Sequence, residues 1–172
     1  PALSRTTIHL NDVEGLEDAA VSTQVDAPAG SLVIAERLMS WDETGYGGHL
    51  GTAVGAPRRK WLFAEGTQGY FSTFFLLANS GAEDASVRFT FLVEQGDPVE
   101  HTLEVPAGSR TTFHAGDLAA LVNRSFATVI DSDLPIVAER AMYFGGSPVW
   151  LGGHGSAGVT APAQSWFHAE GA

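Results

Sequence analysis

The chain carries one long passage twice. Pro1-Ala2-Leu3-Ser4-Arg5-Thr6-Thr7-Ile8-His9 returns as Pro106-Ala107-Gly108-Ser109-Arg110-Thr111-Thr112-Phe113-His114, an offset of 106 − 1 = 105 residues. Trp61-Leu62-Phe63-Ala64-Glu65-Gly66 returns as Trp166-Phe167-His168-Ala169-Glu170-Gly171, again 166 − 61 = 105. Between them, Glu36-Arg37-Leu38-Met39 matches Glu139-Arg140-Ala141-Met142 at 139 − 36 = 103, and Gly47-Gly48-His49 matches Gly152-Gly153-His154 at 152 − 47 = 105. Length changes confined to turns, with everything else in frame, mark the duplication of a structural unit. The fold must therefore be one that about a hundred residues can build and that can stand beside a copy of itself.

Chain and repeat are out of phase. Residues 1–60 match only the later part of the unit, 61–165 form one complete unit, and 166–172 match the first strand of another. A boundary after Gly66 fits the same repeat. Sixty residues of half a unit bury little apolar surface and leave an unpaired sheet edge. Completion by strands of an adjoining identical module, in the same chain or in another subunit, is the expectation.

The sequence punctuates short strands. Phe71–Asn79 is rich in aromatics and stops at Ser80-Gly81. Val87–Val93 and His101–Val105 alternate apolar and polar residues on either side of the turn Gln95-Gly96-Asp97-Pro98. Ser109–His114, Phe126–Ile130 and Ile136–Phe144 complete the set. Period-two segments broken by Gly, Pro, Asp and Asn about every ten residues predict an all-β, Ig-like antiparallel β-sandwich. Only Asp12–Ala20 and Asp117–Asn123 read as helical, a turn or two each, and the glycine-dense stretches 45–55 and 145–158 read as ordered loops. With 44% hydrophobic and 17% charged residues the chain has enough apolar material for a packed core. A net charge of −11 excludes nucleic acid as a partner, because nothing could neutralise phosphates in number. No apolar run approaches the roughly 20 residues of a bilayer span, so membrane insertion is not expected. The absence of cysteine removes disulfides and thiolate metal sites.

Alternation along Ile136–Phe144 places Ile136, Ala138, Arg140 and Met142 on one face and Val137, Glu139, Ala141 and Tyr143 on the other. A charge among core residues needs a partner. The expected structural ion pairs join Arg140 to Glu65, and Arg37 to a glutamate of the preceding module. The repeated Glu36-Arg37, Glu139-Arg140, Glu65 and Glu170 are thereby assigned to strand register. Glu65 and Glu139 as a glycosidase-like pair would need an open cleft, and no nucleophile elbow or phosphate-binding loop is present. The chain is read as not an enzyme. His49 and His154 follow Gly-Gly and are expected to hydrogen-bond loop carbonyls. No cofactor is expected; Asp12, Glu14, Asp131 and Asp133 are weak calcium candidates whose spacing matches no EF-hand loop. Trp41, Tyr46, Tyr143 and Trp150 beside the glycine stretches could form a flat platform for sugar rings, which makes polysaccharide an alternative partner; aromatics packed between modules are the commoner outcome.

Trp61-x-x-Ala64-Glu65-Gly66, Leu76-Leu77-Ala78-Asn79, Pro106-Ala107-Gly108-Ser109-Arg110, Ile136-Val137-Ala138-Glu139-Arg140-Ala141-Met142 and Gly152-Gly153-His154 together resemble the tandem β-sandwich repeats of large secreted or cell-surface bacterial proteins, a domain family of unknown function. The resemblance spans essentially the whole chain and departs at Ala29–Val33, where the second copy is shorter. It implies an extracellular or cell-surface location and a stalk, adhesion or envelope role, and it supplies no catalytic residue. The expectation is a structural repeat of a filament, sheath or stalk whose partners are identical modules.

Overall fold

The structure, a computed structural model, describes residues 3–41, 47–146 and 150–169. It is all-β, with every ladder antiparallel. The strands are β1 (Glu36–Trp41), β2 (Gly47–Thr52), β3 (Arg58–Phe63), β4 (Phe71–Asn79), β5 (Ala85–Val93), β6 (Val99–Val105), β7 (Ser109–His114), β8 (Phe126–Phe144) and β9 (Gly152–Ala157). β1 and β2 form a separate two-stranded hairpin; the other seven make one curled sheet organised on β8. Among the described residues no helix is long and apolar enough to cross a membrane.

β8 is 19 residues long and belongs to both sides of the curl. Its first half pairs with β5 and β3, its second half with β4 and β9. The sequence predicted two strands here, broken at Asp131–Pro135. The strand runs through because its turn-forming residues are held from outside. Asp131 takes Lys60 at 2.9 Å and Arg88 at 3.7 Å, and Asp133 accepts the Ser86 N–H at 2.8 Å. Pro135 falls where the β5 ladder has ended and the β4 ladder has not begun, so its missing N–H costs the sheet nothing. The curl is tied by Leu62 and Val159, which exchange N–H···O bonds of 2.7 and 3.0 Å across the far side of β3.

Inside the curl lie Trp61, Phe63, Phe75, Leu77, Val87, Phe89, Phe91, Phe113, Leu121, Phe126, Ile130 and Ile136. The aromatic rings meet edge-on or offset, Phe63 to Phe75 at 5.5 Å and Phe91 to Phe126 at 5.3 Å, the arrangement that ring quadrupoles favour. Ile136, Ala138, Arg140 and Met142 are all buried, as the alternation required.

Three further expectations are corrected. The glycine stretches are not loops: Gly47–Thr52 and Gly152–Ala157 are strands. The helical segments reduce to single 3-10 turns at Leu10–Asp12, Ala115–Asp117 and Ala119–Leu121. Residues 3–35, which repeat the sequence of β7 and the first half of β8, contain no strand, and neither do 166–169, which repeat the second half of β3. The matching segments thus pair where β3, β4 and β5 are beside them and stay irregular where they are not.

Candidate functional site

The site is the surface on which the two copies of one hairpin meet. In β1–β2, Met39 lies opposite His49 and Trp41 opposite Gly47; in β8–β9, Met142 lies opposite His154 and Phe144 opposite Gly152. Register and residue order correspond, so each hairpin has two equivalent faces. One carries Arg37, Met39, Trp41 and His49 in the first copy and Arg140, Met142, Phe144 and His154 in the second. In the second copy that face buries Arg140 and Met142, 7% and 1% exposed, and leaves His154 exposed. The first copy lays it on the outer face of the second, where Glu139, Ala141, Tyr143 and Gly155 stand.

Glycine makes the contact possible. A Cβ on Gly153 would come within 2.5 Å of the Tyr143 ring, and one on Gly155 within 2.8 Å of the His49 ring. Rings therefore lie across the bare backbone of β9, an approach that strand glycines permit. Trp41 packs edge-on to Tyr143 at 5.3 Å, and its indole N–H donates to the Trp150 carbonyl at 2.7 Å. Trp150 stacks on Tyr143 at 5.6 Å and meets Phe74 edge-on at 6.3 Å. Between the rings is an open apolar cavity of about 270 Å³, lined also by Met39, Leu76, Thr112 and Ala141. Three of the aromatics singled out for sugar contact, Trp41, Tyr143 and Trp150, thus come together; Tyr46 lies outside the described residues. They do not make the flat platform of the alternative reading. Trp41 stands at 81° to Tyr143, and all three are half-buried against one another. Phe74 and Thr112 were not foreseen as neighbours of this site; the alternation of their strands marked them only as sheet residues.

The ion pairs differ from those predicted. Arg140 is buried beneath Phe63, 6.0 Å from the ring centroid, and its Nη1 donates to the main-chain carbonyl of Glu65, not to the carboxylate. The Glu65 side chain is exposed. Burial lowers the Arg140 pKa, with the Glu65 charge opposing. Arg37 pairs with Glu139 at 3.1 Å, across the hairpin contact, so the partner belongs to the complete unit rather than to a preceding module. That engagement takes Glu139 from the carboxylate pair considered with Glu65. Glu36, the counterpart of Glu139, is exposed, and Glu170 lies outside the described residues.

His49 does not bind a loop carbonyl. Its Nε2 sits 3.3 Å from the Tyr143 hydroxyl, while Nδ1 is buried without a partner. Burial holds the ring below the usual 6.5; Arg37 and, less strongly, His154 push the same way, and Glu139 opposes. His154 is lowered by burial and by Arg140, against Glu65. Tyr143 is raised, mainly by burial.

The calcium candidates are dispersed. Asp131 and Asp133 are occupied by Lys60, Arg88 and the Ser86 N–H. Asp12 and Glu14 are exposed in the irregular N-terminal segment. Among the described residues no three His, Cys, Asp or Glu converge.

No family model matches the chain, and no curated protein matches it. Solved structures similar to this chain include the following two. The crystal structure of Thermotoga maritima 1070 is 22% identical, with a TM-score of 0.55, over 61% of this chain and 96% of that one; at that identity the likeness is one of fold. The Anabaena sensory rhodopsin transducer is 31% identical over 51% of this chain and 86% of that one, with a TM-score of 0.44.

Proposed function

We propose that this chain is a non-catalytic structural repeat of an extracellular or cell-surface assembly, a filament, sheath or stalk, whose modules join by strand pairing and end-to-end packing. Residues 61–165 are read as its complete Ig-like sandwich module. The observation that carries the reading is a contrast between equivalent residues. Phe113 is 7% exposed and its counterpart Ile8 72%; Ile130 is 0% and Val25 58%; Ile136 is 0% and Val33 59%; Trp61 is 2% and Trp166 56%. Core-type positions left in solvent in one copy, and buried in the other, support the reading that strands of another module cover the first. Covering such side chains stabilises by about 1.5–3 kcal/mol each. The repeat family that the motifs resemble supports the exported location.

The second reading is a carbohydrate-binding module, favoured by the cavity among Trp41, Phe74, Tyr143 and Trp150. Light scattering over a concentration series separates the two. Growth from monomer to oligomers or fibres supports the structural reading. A monomer at every concentration that binds polysaccharide saturably overturns it in favour of the second.

A further inference from the structure

The N-terminal arm, residues 3–52, is held to the rest of the molecule in an unusual way. Its hairpin shares no β-ladder with the seven-stranded sheet among the described residues. What holds it is side-chain contact: Arg37 to Glu139, His49 to Tyr143, and Trp41 to Tyr143 and the Trp150 carbonyl. Beyond the hairpin lies the connection 53–57, with Val54 packed against the core, Gly55 in open space and Pro57 just before β3. The arm can therefore leave the body without breaking a strand pair.

The docking and receiving faces also differ. The arm offers a cation and two rings; the body offers a carboxylate, a tyrosine and bare glycine backbone. A contact between unlike faces of one polypeptide forms equally well between two polypeptides, and then closes by mutual exchange or propagates along a row. Docked within one chain, the arm leaves Leu38 at 75%, Leu50 at 55%, Ile34 at 89% and Leu32 at 100% exposure.

We propose that the arm docks on the β8–β9 hairpin of a second copy of this chain, Arg37 of one copy pairing with Glu139 of the other. This rests on the structural-repeat reading and names the surface through which the repeats associate. The chain has no cysteine, so single cysteines report unambiguously. Arg37→Cys and Glu139→Cys chains carrying different tags are mixed and treated with a bis-maleimide of about 10 Å reach, since the long native side chains separate the two backbones beyond disulfide range. Mass spectrometry and light scattering are then read on the same sample. Exchange predicts the mixed 37–139 link at least tenfold above the 37–37 and 139–139 links, and a ladder of linked chains from the double variant. Met39→Cys with Ala141→Cys serves as the second pair should the first disturb folding. Oligomers whose 37–139 link forms only within single chains would overturn the exchange and leave the repeat reading standing. Monomers at every concentration would remove both.

Discussion

Arg140 is 7% exposed; its Nη1 donates to the Glu65 main chain and its Nη2, at 3.5 Å, to the Ser156 hydroxyl, while Nε is buried without a partner. The Glu65 carboxylate acts on it only through its charge, from an exposed position, and not through a hydrogen bond. Glu65→Gln is expected to change the urea unfolding free energy by less than about 0.5 kcal/mol. Arg140→Ala, which leaves a buried carbonyl unpaired and removes an alkyl stem from the core, is expected to cost about 2–4 kcal/mol. Equal losses for the two variants would restore the carboxylate pairing. That Arg140 is buried was legible in the period-two pattern of Ile136–Phe144. Its partner was not, because a carbonyl is offered by every residue and leaves no mark in sequence. Gly153 is the opposite case. Its necessity comes from the Tyr143 ring, a neighbour only once β8 and β9 pair. Gly153→Ala is expected to cost about 1–3 kcal/mol by overpacking, read from the same unfolding curves.

At the scale of elements, the bounds of β4 and β7 follow from Phe71–Asn79 and Ser109–His114 as written. β8 was hidden by Asp131, Asp133 and Pro135, residues that break strands unless neighbours hold them. The glycine strands were hidden because glycine favours turns in isolation; rings lying over a backbone are a tertiary fact. The aromatic cluster was partly legible, since Trp41, Tyr143 and Trp150 flank the repeated Gly-Gly-His. The hairpin contact also carries a pH dependence. His49 in the docked arm titrates below its usual 6.5, so the released arm binds more protons in that window. Docking is therefore complete above about pH 6.5 and weakens as pH falls through the lowered value, by at most about 1.4 kcal/mol per pH unit for each such histidine. The Trp41 indole N–H resonance reports it, because release breaks its bond to the Trp150 carbonyl. The resonance is expected to shift between pH 7.5 and 5 in the native chain and to hold still in His49→Gln. A shift of equal size in the variant would assign the effect elsewhere.

At the scale of the whole molecule, two related segments stand in two environments. Where β3, β4 and β5 are beside them, Ser109–His114 and residues 126–136 are strands that supply core side chains; without them, the matching residues 4–33 form neither. Local pattern specifies which side chains face inward, and tertiary partners decide whether there is an inside to face. The repeat itself was legible from residue identities such as Ser4-Arg5-Thr6-Thr7 and Ser109-Arg110-Thr111-Thr112, whereas the irregular state of its first copy was not, since it turns on the missing β3, β4 and β5 neighbours as well as on the residues that differ. Hydrogen–deuterium exchange over residues 5–34, measured from low to high protein concentration, tests the claim of an unmet partner most directly. The predicted result is protection that rises with concentration and reaches Ile8, Val25 and Val33 together. Uptake that stays fast and unchanged across the range would contradict it.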